Sequence, residues 1–221
     1  MIPGSPCFAP VMKLSFKNII FDFGGVIIPV DPMAFAGGLM NLGCTDVLSL
    51  HEFFIKEQVY TRFEKGEMSP DEFRMMLRGG LNNHVTDEQL DQAWNLIIGE
   101  IPEHRVKFLE ALKPKYRTFL LSNTNKIHYD FYQSQFSETY GYPSLDDLFE
   151  KAYYSFQLKL YKPDPAIFEF VINDNGLKPE ETLFVDDYLS NIEAAKKLGL
   201  QTIHLVDGME VADIFRTRTP G

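Results

Sequence analysis

The segment Phe16-Lys17-Asn18-Ile19-Ile20-Phe21-Asp22-Phe23-Gly24-Gly25-Val26-Ile27 is the strongest constraint on what this chain can fold into. It is short, rich in Ile and Phe and nearly free of charge, the composition of a central parallel strand covered on both faces. The first carboxylate, Asp22, stands where the run ends, with a glycine pair just beyond it. In open α/β sheets the carboxyl ends of the strands form the edge that binds ligands, so this strand delivers Asp22 to such an edge.

The pattern recurs. Arg117 to Leu121 reads as a strand running into Ser122-Asn123-Thr124-Asn125, and Thr182 to Val185 as one running into Asp186-Asp187. Shorter strands are expected at Lys151 to Ser155 and Thr202 to Val206. Helical spacing places helices at His104 to Leu112, Lys126 to Phe136, Pro165 to Asn173 and Ser190 to Leu198, with a short one near Val211 to Phe215. Strands alternating with helices imply a parallel sheet with right-handed crossovers. The expected fold class is α/β: a Rossmann-like three-layer α/β/α core on a parallel sheet.

Residues 32–101 have a different character. Apolar residues recur at helical spacing in Phe53, Phe54, Val59, Tyr60, Phe63, Phe73, Met76 and Leu77. Ser69-Pro70-Asp71-Glu72 and Thr86-Asp87-Glu88-Gln89 are capped helix starts. The segment is therefore an all-helical insertion of roughly four or five helices. It divides a core formed by residues 12–31 and 102–221, and residues 1–11 are expected to be a disordered leader, with Met12 as a candidate functional start.

Composition narrows the function classes. The net charge of −10 argues against a nucleic-acid partner, since phosphate backbones require a basic surface. No apolar run reaches membrane-spanning length, and the leader lacks the basic start and apolar core of a signal peptide. Cys7 and Cys44 have neither disulfide nor metal-ligand spacing, which suits a reducing, cytoplasmic compartment. A monomer or homodimer acting on a small molecule is the expectation.

Three strand ends on one edge bring Asp22, Ser122, Asn123, Asp186 and Asp187 into one crevice, and Lys162 lies on a loop between the last two strands. Crowded carboxylates repel one another unless a cation is present. Oxygen donors of this kind suit Mg²⁺, which takes few protein carboxylates and keeps room for waters and a substrate phosphate. Asp22, kept ionised by the cation and by Lys162, can attack phosphorus as a nucleophile. Ser122 and the Asn123 N–H can hold the transferring oxygens while Lys162 neutralises their charge. The expected partner is a small phosphorylated metabolite.

These residues, in this order, resemble the haloacid dehalogenase superfamily, whose members are mostly Mg²⁺-dependent phosphatases. Asp22-Phe23-Gly24-Gly25-Val26 is similar to its first motif, Leu120-Leu121-Ser122-Asn123 to its second, Lys162-Pro163-Asp164-Pro165 to its third, and Phe184-Val185-Asp186-Asp187 with Asn191 to its fourth. The resemblance covers the chain from about Lys17 to Val206. It implies that the insertion is a helical (C1-type) cap that closes over the site and selects the substrate. It also implies an aspartyl-phosphate on Asp22, with Asp187 as a direct metal ligand, Asp186 as a ligand through water and Gly24 as one through its carbonyl.

One position departs from the family. Most of its phosphatases carry a second Asp two residues after the nucleophile, which protonates the leaving group and then activates water; here that position is Gly24. General acid–base help is worth about two to four orders of magnitude in rate, so its loss needs an explanation. A good leaving group is one, and the bacterial α-D-glucose-1-phosphate phosphatase subgroup, which this chain resembles at the glycine and at Ser122-Asn123-Thr124-Asn125, points to a sugar phosphate such as a hexose 1-phosphate. A substitute acid is a second, with His128 and Asp31 as candidates. Loss of catalysis, leaving a phosphate-binding or interaction module, is a third, and dehalogenase chemistry is disfavoured. In the cap, Arg62 and Glu64 stand as candidates to hydrogen-bond a sugar.

Overall fold

A computed structural model describes residues 15–81, 84–206 and 208–216. The expected leader, Cys7 and Met12 lie outside the described residues.

In chain order the elements are β1 (Asn18–Phe21), α1 (Pro32–Asn41), α2 (Val47–Lys56), α3 (Val59–Glu64), α4 (Pro70–Arg78), α5 (Asp87–Asn95), α6 (Glu103–Leu112), β2 (Arg117–Ser122), α7 (Lys126–Tyr140), β3 (Lys151–Tyr154), α8 (Ser155–Leu158), α9 (Pro165–Asn175), β4 (Thr182–Asp186), α10 (Leu189–Lys197), β5 (Gln201–His204) and α11 (Val211–Arg216). The five strands form one parallel sheet in the order β3-β2-β1-β4-β5. The first strand is its centre, paired with β2 through Phe21 opposite Leu120 and with β4 through Phe21 opposite Val185. That register brings the ends of β1, β2 and β4 to the same height.

Side chains alternate between two layers. Ile19, Phe21, Leu120 and Val185 pack with Val106 and Leu109 of α6, Tyr132 and Phe136 of α7 and Val211 of α11. Ile20, Phe119, Leu121 and Phe184 face Ile167, Phe168 and Val171 of α9 and Ile192 and Ala195 of α10. Each fully buried apolar side chain contributes about 1.5–3 kcal/mol, and a strand covered on both sides has no room for a solvated face. The fold is thus the three-layer α/β/α Rossmann-like core with a helical insertion.

The insertion has its own apolar centre in Phe35, Leu39, Phe54, Val59, Phe63, Phe73, Leu77, Leu90 and Trp94. The Phe63 and Phe73 rings stack with centroids 4.3 Å apart, and Trp94 meets Phe35 edge-on at 4.7 Å. Both anticipated helix starts are reciprocal capping boxes, Ser69 with Glu72 and Thr86 with Gln89. The two chain passages joining insertion and core run side by side: Asp31 N–H donates to Ile97 C=O at 2.8 Å and Gly99 N–H to Pro29 C=O at 3.0 Å.

Some elements end differently from the sequence expectation. Helix α7 continues four residues past Phe136, because Tyr140 packs on Phe136 and its hydroxyl donates to Ile101 C=O at 2.6 Å. Strand β3 stops at Tyr154, and Ser155 instead opens a helical turn, its hydroxyl engaged with the backbone of other segments.

Candidate active site

The centre of the crevice is Lys162, an almost fully buried amine. Its Nζ donates to Asp22 Oδ1 at 2.6 Å, Asp186 Oδ2 at 2.8 Å and Leu121 C=O at 2.9 Å, so all three of its protons have acceptors. The ammonium also sits 5.5 Å from the centroid of the Phe184 ring. Burial favours the neutral amine, but Asp186 and Asp22 outweigh it and hold the lysine pKa above its usual value.

Lys162 is placed by Asn123. The Asn123 side chain donates to Lys162 C=O at 2.9 Å and accepts from Lys162 N–H at 3.0 Å, clamping the loop backbone to the end of β2. The sequence assigns Asn123 a backbone role towards phosphate; the structure adds this positioning contact of its side chain. Ser122, buried at the end of the same strand, has its hydroxyl no nearer than 3.5 Å to Asn123 C=O, a weak contact that leaves the hydroxyl available.

Asp186 is fully buried and fully occupied, accepting from Lys162, from Tyr188 N–H at 2.7 Å and from the Asn191 amide at 3.0 Å. Asp187 is different: its Oδ1 is buried and has no hydrogen-bond partner. Oxygens of Asp22, Asp186 and Asp187 lie within 4.8 Å of one another. Burial raises the Asp22 carboxyl to about 8; the Lys162 ammonium opposes that shift, and the Asp186 and Asp187 charges add to it. Three carboxylates therefore share one ammonium. A buried orphan oxygen beside that excess of negative charge fits a hard divalent cation, and oxygen-only donors favour Mg²⁺.

The glycine pair divides its work. Gly25 has φ +71° and a Cβ there would lie 2.3 Å from Asp187 Oδ2, so only glycine lets the turn pass that carboxylate. Gly24, bridged to Ile28, has ordinary backbone geometry, and a Cβ would meet only Val30 at 3.4 Å. Nothing steric requires glycine at position 24.

The two substitute-acid candidates are both engaged elsewhere. His128 is buried on α7, its Nδ1–H donating to Asn95 Oδ1 at 2.9 Å and its ring stacked on Trp94 at 4.5 Å. Burial pushes its pKa down to about 3, so it is neutral at physiological pH. It fastens the cap to the core. Asp31 is exposed and serves as the N-cap of α1, accepting from Met33 and Ala34 N–H. Its position at the start of a helix explains the residue.

Three contributors went unread in the sequence. Ser155 accepts from Thr124 N–H at 2.9 Å, and its hydroxyl lies 2.5 Å from Glu64 C=O, linking cap to core. Tyr161 donates to Glu64 Oε2 at 2.9 Å. The Tyr188 phenol is raised by partial burial and then by the charges of Asp187, Glu64, Asp22 and Asp186. Both tyrosines adjoin motif residues, Lys162 and Asp187, and that adjacency was the available signal.

The chain is similar to known proteins in sequence and in fold. The chain is 36% identical over 194 residues to D-ribitol-5-phosphate phosphatase of Bacteroides thetaiotaomicron, covering 88% of this chain and 94% of that protein. A haloacid dehalogenase family enzyme from Bacteroides thetaiotaomicron, solved in complex with magnesium and inorganic phosphate, superposes with a TM-score of 0.83 at 34% identity, over 91% of this chain and all of that one. A structure described as a predicted hydrolase of the same family, from Porphyromonas gingivalis, gives 0.82 at 33% identity, over 93% and 99%. With the haloacid dehalogenase-like hydrolase pattern matched across residues 16–199, the chain belongs to the haloacid dehalogenase-like hydrolases.

Proposed function

We propose that this chain is a Mg²⁺-dependent phosphatase that hydrolyses the phosphomonoester of a small sugar or polyol through a phosphorylated Asp22. The observation that carries it is the bridging of Asp22 and Asp186 by one buried Lys162 beside the unpartnered Asp187 oxygen. A structural ion pair has no use for the third, uncompensated carboxylate, whereas a site for a phosphate dianion and a cation does.

In this reading Asp22 attacks phosphorus, held at its carboxylate by Lys162. Ser122 hydroxyl and the Asn123 N–H receive the phosphoryl oxygens. Asp22 and Asp187, with the Gly24 carbonyl, and Asp186 through a water would hold the metal, which when bound would neutralise phosphoryl charge and lower the carboxyl pKa of Asp22. Asn191 and Tyr188 N–H keep Asp186 oriented. A water then attacks the phosphorylated Asp22 and releases phosphate.

Within the substrate class, the ribitol phosphate named for the relative is an ester of a primary alcohol, a poorer leaving group than the anomeric oxygen of a hexose 1-phosphate. Pentitol and pentose 5-phosphates are the first substrates to test, and hexose 1-phosphates the second. The test is phosphate release from each with and without Mg²⁺. Turnover that needs Mg²⁺ and disappears in Asp22→Asn is the expected result; an Asp22→Asn protein as active as the unaltered one overturns it.

A further inference from the structure

Position 24 lacks the usual acid, His128 is neutral and bonded to Asn95, and Asp31 is occupied as a helix cap, so an alkyl phosphate reading still requires a proton source. The cap supplies a carboxyl bonded to the residue that precedes Lys162. Glu64 is the last residue of α3. Beyond it, Gly66 has φ +66° and passes so close to the core that a Cβ would lie 2.3 Å from Phe156 C=O. Ser155 fixes the Glu64 carbonyl from the core side. The segment is thus docked, and the Glu64 side chain is turned to Tyr161, the neighbour of Lys162.

The same contact ties Glu64 to the phosphate end of the site. Asn123 and Lys162 are joined by two hydrogen bonds, and the Tyr161 between Lys162 and the cap binds Glu64. Glu64 therefore stands on the cap side of the site, held through Tyr161 next to Lys162, the lysine that binds the nucleophile. Tyr161 engages Oε2, and among the described residues no hydrogen bond falls on Oε1.

Resting on the phosphatase reading above, we infer that Glu64 is the general acid and base of this enzyme, replacing from the cap the carboxyl that position 24 lacks. In the first half-reaction an Asp22 oxygen bonds to phosphorus, the phosphorus–oxygen ester bond breaks with its electron pair on the leaving oxygen, and that oxygen takes the Glu64 proton. In the second, water bonds to phosphorus and gives its proton to the Glu64 carboxylate. The bond from phosphorus to Asp22 breaks with its pair returning to the Asp22 carboxylate. The sum is alcohol plus phosphate, with Glu64 and Asp22 restored.

The electrostatics agree with the double role. Burial raises the Glu64 carboxyl to about 7, with the Tyr161 hydrogen bond and the Lys162 charge opposing part of the shift. Glu64 is then protonated in a useful fraction at neutral pH and still able to lose its proton, the condition under which general acid–base catalysis is most effective. Tyr161, Lys162 and Tyr188 are the titratable groups facing it from the core, and α8, packed against α3, carries no charged side chain. Tyr161 donates to Oε2, and among the described residues Oε1 carries no hydrogen bond.

The test compares Glu64→Gln, which keeps an oxygen for Tyr161, with the unaltered enzyme on a pentitol 5-phosphate and on p-nitrophenyl phosphate, whose leaving group needs no proton. Loss of acid catalysis is expected to lower alkyl ester turnover about 10²- to 10⁴-fold and to remove its decline above pH 7. On the aryl ester the variant is expected to release one equivalent of nitrophenolate per enzyme in a fast burst and then turn over slowly, because only the second half-reaction still needs a base. Equal losses on both esters with no burst, or alkyl turnover within tenfold of the unaltered enzyme, overturn the assignment. Asp22→Asn, run alongside, separates this from failure of the phosphatase reading: turnover and a burst surviving in that variant remove the aspartyl-phosphate itself, not only Glu64.

Discussion

Lys162 Nζ lies 2.8 Å from Asp186 Oδ2 in a pair from which water is excluded, the two side chains being 1% and 0% exposed. Removing one member of a buried pair leaves the other charge uncompensated, at a cost of about 3–5 kcal/mol. Lys162→Met, which matches the length of the stem, is therefore expected to lower the urea midpoint of unfolding markedly and to abolish turnover. Adding Mg²⁺ is expected to restore part of the stability and none of the activity. A Lys162→Met protein with unaltered stability would show that the two carboxylates are already neutral in the fold.

The contrast between the two glycines gives a second test. Gly25→Ala must place a Cβ within 2.3 Å of Asp187 Oδ2 at a backbone angle of φ +71°, whereas Gly24→Ala meets only Val30 at 3.4 Å. The left-handed conformation costs a non-glycine residue about 1–2 kcal/mol before the clash is counted. Gly25→Ala is expected to raise the Mg²⁺ concentration needed for half-maximal activity at least tenfold by displacing Asp187. Gly24→Ala is expected to keep its metal requirement within about threefold. Titrations of activity with Mg²⁺ check both.

What was legible in the sequence is what the chain encodes locally. An apolar run that stops at a carboxylate announces both a central strand and the residue at its end, so Asp22, Ser122, Asp186 and Asp187 could be placed on one edge before any contact was known. Lys162 was legible only through its motif, since the loop carrying it has no period of its own. The cap contacts were not legible. Glu64 and Tyr161 are 97 positions apart, and which face of α3 meets the core depends on how five short helices pack around Phe63, Phe73 and Trp94. His128 stood as a candidate for the same reason: closeness in sequence to Ser122 and Asn123 allowed the crevice, but the structure stacks the ring on Trp94 and bonds it to Asn95.

Metal binding is expected to be visible in stability as well as in rate. A ligand that binds the folded state alone stabilises it in proportion to the logarithm of its concentration over its Kd, about 2.7 kcal/mol at a hundredfold excess. Since Asp187 Oδ1 is the donor without a partner, Mg²⁺ is expected to raise the melting temperature of the unaltered protein by several degrees and that of Asp187→Asn by almost nothing. Asp187→Asn also removes one of three crowded carboxylates, so without metal it is expected to be the more stable protein. Melting curves with Mg²⁺ and with a chelator read both effects; an equal metal shift in the two proteins would place the ion elsewhere.

His128 is expected to control the acid limit of stability and not the pH dependence of catalysis. Burial depresses its folded pKa from 6.5 to about 3, so the unfolded chain takes up the proton more readily than the folded one. The stability that depends on a neutral ring is complete above about pH 6.5 and is lost as pH falls from there towards 3. His128→Phe keeps an aromatic ring against Trp94 but has no proton to bind, and it leaves the buried Asn95 oxygen without its donor. At pH 7 the variant is expected to be less stable by about 1–3 kcal/mol. Between pH 6 and 4 it is expected to lose stability less steeply than the unaltered protein, so the two curves converge. Its pH–rate profile for phosphate release is expected to superpose on that of the unaltered enzyme after scaling. A shifted limb in that profile would return His128 to the list of groups that exchange protons with the substrate.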